Sequence, residues 1–213
     1  MRRLDLRKCA SARERGLEHG RHFAGEITTL VALRIHLACK ISGFDPEGLR
    51  AIAAKHLPIL KRFDSDLYDE LVGIAQGSGC SEEEIVILNQ YTDIRDMSPM
   101  ADPDAGLAGE ADYDGGCTIV WAQTQSGPVF GQTWDMHASA MPYVIMMRVP
   151  DAGGGDAWLL SLTGCLGMAG LSRAGVSIGI NNLTSTDAVP GVVWSAIVRK
   201  ALREPTAMAA KEL

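Results

Sequence analysis

Two glycines stand directly before a cysteine in Asp114-Gly115-Gly116-Cys117, where an acidic stretch gives way to alternating apolar residues. Glycine reaches backbone conformations closed to other residues and lets a group approach its carbonyl closely. A thiol beside such a carbonyl is suited to attack the Gly116–Cys117 peptide bond itself. Cysteine nucleophiles need a base, commonly histidine, yet no His lies within nineteen residues of Cys117 along the chain. Cutting the bond would give Cys117 its own α-amine, with a pKa of about 7.7–8.0, on the same residue as the thiol. The alternative base is His137, used as in a papain-like cysteine hydrolase that needs no cleavage, although a loop histidine there is the plainer reading.

The remaining cysteines, Cys9, Cys39, Cys80 and Cys165, form no CxxC pair and have no histidine at metal-ligand spacing. They read as free thiols used as small hydrophobes. No metal or cofactor site is expected.

Elements must hold Cys117 in place, and the hydrophobic period gives them. Arg13–Ile41 carries apolar residues near a 3.6 period and ends at Gly43. Asp45-Pro46 starts a second helix, Asp66–Gln76 a third, and Ser81 with Glu84 forms a capping box opening Glu82–Tyr91. Residues 97–116 are rich in Pro, Gly, Asp and Ala and read as an exposed, mobile cleavage loop. Then the period becomes two. Cys117–Ala122 with Val129–Trp134, Tyr143–Val149 with Ala157–Leu162, and Met168–Leu171 with Val176–Ile180 read as three hairpins. Pro190–Leu202 returns to helix, and another begins at Thr206. Trp121, Trp134 and Met136 read as core or as the wall of an acyl pocket. The pattern predicts an α+β fold: a helical part over 1–96, the loop 97–116, then an antiparallel sheet with helices over 117–213.

The chain has 213 residues, 46% hydrophobic and 22% charged, with a net charge of −6. That is ordinary globular composition. Without a basic stripe it argues against nucleic acid as partner, and no apolar run approaches a membrane span. The basic N-terminus, MRRLDLRKCASARERG, lacks the apolar stretch of a secretory leader, so a cytoplasmic location is expected.

DGGCTIVWAQTQSGPVFGQTWD, RERGLEHGRHFAGEI, ELVGIAQGSGCSEEEIVILNQYTDI and GLSRAGVSIGINNL together resemble the acyl-coenzyme A:6-aminopenicillanic acid acyltransferase (isopenicillin N acyltransferase) family. That family comprises N-terminal-nucleophile hydrolases of αββα layering, made as precursors that cleave themselves at Gly–Cys. The resemblance implies that Cys117 is both autoproteolysis thiol and acyl acceptor. It makes Asp135 the aspartate that orients the new amine, and Asn181 (with Asn182 its rival) the oxyanion donor. Residues 1–96 become a pro-segment or small subunit. The substrate becomes a small N-acyl amide or an acyl thioester, with acyl-coenzyme A as an acyl donor and no cofactor.

Three departures stand out. Ile119 replaces a common Thr or Ser, LNQYTD replaces the usual LNxRTE, and the family runs on well past Leu213. The chain is therefore expected to be incomplete, with the Gly116–Cys117 bond intact in most molecules of this 213-residue form. A second chain or a second copy would then complete the sheet, and an inactive remnant that only binds such a partner is the non-enzyme alternative.

Overall fold

The computed structural model describes residues 1–97, 117–136, 138–150, 154–183 and 187–213. Gly116, His137 and most of the acidic loop thus lie outside the described residues. In chain order the elements are strand β1 (Arg2–Asp5), helices α1 (Ala12–His22), α2 (Ala24–Ser42), α3 (Pro46–Phe63), α4 (Ser65–Ser78), α5 (Glu82–Asn89) and α6 (Tyr91–Asp96), strands β2 (Ile119–Thr124) and β3 (Gly127–Gln132), a 3-10 turn (Ala138–Tyr143), strands β4 (Val144–Pro150), β5 (Asp156–Leu162), β6 (Ala169–Ser172) and β7 (Ser177–Ile178), and helices α7 (Trp194–Ala201) and α8 (Ala207–Lys211).

Local chemistry explains the helix starts. Ser11, Asp45, Asp64, Ser81 and Thr206 each accept a backbone N–H of the first turn, and Ser81 with Glu84 completes the capping box. Gly43 and Gly79 close α2 and α4 at φ 72° and 77°, a left-handed conformation that favours glycine. The expected continuous helix Arg13–Ile41 is instead broken at Phe23, whose φ of −124° and ψ of 29° end α1 and begin α2. The break lets Phe23 bury its ring and aims the two helices at different partners. The helix expected over Glu82–Tyr91 ends in a break at Gln90, and a further short helix, α6, follows where none was expected.

Helices α1 and α4 pack backbone to backbone. Gly16 and Gly20 face Gly73 and Gly77, and a Cβ on Gly16 would fall 2.0 Å from the Glu70 carbonyl oxygen. Only glycine permits that approach. Arg34, buried on α2, places its guanidinium 4.4 Å from the centre of the Tyr91 ring, so a cation stands over the position where the LNxRTE pattern has its arginine.

Two sheets follow. One is five-stranded in the order β1-β4-β5-β6-β7, and the other is the β2–β3 hairpin. All pairings within them are antiparallel except β1 with β4, which is parallel, so the larger sheet is mixed rather than antiparallel as expected. β1 escaped notice in the sequence because three of its four residues are charged; Leu4 alone enters the core.

Ile145, Met147, Val149, Ala157 and Leu159 share one core with Ile27, Leu30, Leu71 and Ile87 of the helices. The hairpin meets the chain just past β7, since a Cβ on Gly179 would touch Ile119 and Phe130. Its other face is open: Val120 is 55% and Val129 53% exposed. Trp121 is 66% exposed, which overturns its reading as a core residue, whereas Trp134 and Met136 pack against the core. No single helix among the described residues is long and apolar enough to cross a membrane.

Candidate functional site

Cys117 is half-buried and sits two residues before β2. The ladder reaches back toward it: Thr133 N–H donates to the Thr118 carbonyl (2.9 Å), and Thr118 N–H donates to Thr133 Oγ1 (3.0 Å). Ile119 pairs with Gln132 in this antiparallel register. Extended by two positions, the register sets Trp134 across from Cys117 and Asp135 one residue beyond it. Asp135 is half-buried.

Asn181 arrives from the other sheet. With its amide oriented by its hydrogen-bond partners, Nδ2 donates to the Cys117 carbonyl (3.1 Å) and the Ile180 carbonyl (3.2 Å). The structure thus brings Asn181 to Cys117, and leaves Asn181 exposed to solvent.

Gln132 was not singled out from the sequence, yet it joins the two sheets here. Its Nε2 donates to the Ile180 carbonyl (2.6 Å) and its Oε1 accepts from Ile180 N–H (3.1 Å). The one available signal was a polar side chain on the inward hairpin face, shared with Ile119 and Phe130. An apolar groove of about 400 Å³ lies on the helix side of β7, lined by Ile178, Ile180, Trp194 and Ile197.

The other thiols are held away from nucleophilic chemistry. Desolvation pushes Cys9, Cys39 and Cys80 up, and Cys165 up to about 12, which favours the unreactive thiol. Cys165 is buried in the core, as its sequence setting suggested. Among the described residues no group of three or more His, Cys, Asp and Glu could hold a metal ion.

The backbone that carries β6 and β7 is fixed from the helices. Gly164 N–H donates to His19 Nε2 (2.9 Å), Leu166 N–H to Asn89 Oδ1 (2.9 Å), and Asn89 Nδ2 to the Gly164 carbonyl (3.0 Å). Arg199 donates to the Leu166 carbonyl (2.7 Å) while pairing with buried Glu70, which also binds Arg15. Desolvation raises the Glu70 carboxyl, but the two guanidiniums outweigh it and hold it at about 2.

No protein-family model matches the chain. Over 170 residues, 80% of its length, it is 26% identical to the 40 kDa form of acyl-coenzyme A:6-aminopenicillanic-acid-acyltransferase from Emericella nidulans. The chain spans 44% of that relative's length. This similarity supports relatedness to that acyltransferase's family.

Proposed function

We propose that this chain carries the nucleophile and oxyanion donor of a self-processing amidohydrolase or acyltransferase. The observation that carries the reading is the Asn181 amide, 3.1 Å from the carbonyl of the residue bearing the thiol. The distant acyltransferase relative supports the reaction class.

In maturation, Cys117 Sγ attacks the Gly116 carbonyl carbon. The C–N bond breaks as the Cys117 nitrogen takes a proton, and the thioester left on Sγ is hydrolysed by water. Gly116 ends as a carboxylate and Cys117 as a free α-amine. That amine, with a pKa of about 7.7–8.0, then accepts the thiol proton during attack on a small N-acyl amide or acyl thioester. Asn181 Nδ2, whose two N–H groups bond the Cys117 and Ile180 carbonyls in the resting chain, gives up one of them and donates that N–H to the oxyanion, a contribution of roughly 2.7–4 kcal/mol for one such donor. The leaving amine or thiol takes the proton, and the acyl group passes from Sγ to water or to an acceptor amine. Acyl-coenzyme A, where used, is a substrate; the cycle consumes no cofactor. Asp135, one position past the cross-strand neighbour of Cys117, orients the new amine.

Intact mass tests this. The full-length protein should separate into a piece ending at Gly116 and a piece beginning at Cys117. Cys117→Ala should stay whole, and Cys117→Ser should cleave slowly because a hydroxyl is the weaker nucleophile. Asp135→Asn should slow both processing and turnover without unfolding the protein. An uncleaved full-length protein that hydrolyses amides would overturn the reading in favour of a base other than the amine.

A further inference from the structure

Asn181 follows β7 by three residues, and β7 is only two residues long. The sheet ladder therefore ends before Ile180, and Asn181 itself is solvent-exposed. The Asn181 amide reaches the Cys117 and Ile180 carbonyls, but among the described residues no ladder pair fixes the backbone that carries it. We propose that Gln132 is a positioning residue whose carboxamide clasps Ile180 and so holds the Asn181 amide against Cys117. The inference rests on the roles proposed above for Cys117 and Asn181.

The geometry is that of a missing strand. In an antiparallel hydrogen-bonded pair, two residues exchange both N–H···O bonds. Gln132 reproduces that exchange with one side chain, donating from Nε2 to the Ile180 carbonyl and accepting at Oε1 from Ile180 N–H. Because Gln132 itself sits in β3, paired with Ile119 two residues from Cys117, the clasp ties the oxyanion donor to the nucleophile's own hairpin. Gly179 is the second half of the device. A Cβ there would lie 2.5 Å from Gln132 Oε1, 2.9 Å from Ile119 and 3.0 Å from Phe130. A Cβ at position 179 would push the carboxamide tip off the strand.

The chemistry demands a donor at one end and an acceptor at the other. Leucine offers neither. An ionised carboxylate offers two acceptors, one of them facing the Ile180 carbonyl; a protonated carboxyl restores the donor. The test therefore uses Gln132→Leu, Gln132→Glu and Gly179→Ala in the intact protein. It reads the amide-exchange protection factor of Ile180, the side-chain amide NMR signal of Asn181, and kcat against KM.

Expected at pH 8 is a tenfold or greater fall in Ile180 protection in all three variants, with core amides such as Leu159 unchanged. The Asn181 signal shifts, and kcat falls at least tenfold while KM stays within twofold. In Gln132→Glu, protection and the Asn181 signal should recover below about pH 4, where most of an ordinary glutamic acid is protonated. A merely structural polar contact would show no such acid rescue. Unchanged Ile180 protection in Gln132→Leu, or lost protection with wild-type kcat, would overturn the proposal. Cys117→Ala reports separately: if it turns over substrate like the wild type, the nucleophile assignment fails, while Ile180 protection still judges the clasp.

Discussion

Acid should loosen this fold through one buried histidine. His19 is fully buried, accepts Gly164 N–H at Nε2, and therefore carries its proton on Nδ1. Nδ1 has no hydrogen-bond partner among the described residues. Desolvation pushes its pKa down to about 4 from 6.5, with Glu70 pulling the other way and Arg199 and His22 adding to the fall. A histidine whose folded pKa is lowered binds its proton first in the unfolded chain. Stability then falls as pH drops below about 6.5 and stops falling near 4. Linkage over that gap gives a loss of about 2 kcal/mol between pH 7 and pH 5, rising to roughly 3 kcal/mol below pH 4. His56 is also buried, its pKa is also lowered by desolvation, and it adds slope of the same sign. The measurement is thus a difference: urea unfolding of wild type and His19→Gln at pH 7, 6 and 5. Glutamine retains an acceptor for Gly164 and cannot charge, so its stability should decline by about 2 kcal/mol less over this range. Parallel pH profiles for the two proteins would refute the argument.

Three further outcomes follow from packing and charge. Gly16→Ala and Gly73→Ala put a Cβ 2.0 Å and 2.4 Å from the carbonyl oxygens of Glu70 and Arg13, so the helices must part, at or above the upper end of roughly 1–3 kcal/mol by denaturant unfolding. Gly25→Ala, with nothing within 4 Å of its Cβ, should instead gain about 0.5–1 kcal/mol. Arg199→Met leaves Glu70 with Arg15 alone and should cost about 3–5 kcal/mol, whereas adding Glu70→Gln should recover part of that loss in thermal unfolding.

What could be read from the chain was what neighbours in sequence decide. The Ser81–Glu84 capping box and the Asp45-Pro46 start are local hydrogen-bonding events, and both stand where their residues predict. The three hairpins followed from a period of two with turn residues between. The breaks at Phe23 and Gln90 did not, because each depends on which partner the next helix must reach. The glycines of α1 and α4 looked like weak spots in two helices; their purpose exists only when the helices meet. At the site, Cys117 was nameable from the two glycines before it, whereas Asp135 and Asn181 came only with the family resemblance. Gln132 was not nameable, because its partner lies 48 residues away and a glutamine in a strand carries no local sign of what it will hold.

The buried charges and the open site are linked through one short segment. Glu70 on α4 fixes Arg199 on α7, and Arg199 holds the Leu166 carbonyl. Asn89 on α5 binds both Gly164 and Leu166, and accepts from Ser195 Oγ of α7 as well. Thus side chains from α1, α5 and α7 grip the turn between β5 and β6, where Gly164 at φ 86° leaves no room for a Cβ beside Leu88 and Ile27. β6 carries β7 by its ladder, and β7 leads directly to Ile180 and Asn181. The chain thus reaches Cys117 firmly through the helices as far as β7, and beyond it only through the Gln132 clasp on Ile180 and the bond of the Asn181 amide to the Cys117 carbonyl. A site built so should be most sensitive where its support is thinnest. Substitutions at Gln132 or Gly179 should disturb chemistry before stability, and substitutions at Asn89 or Arg199 should disturb stability before chemistry.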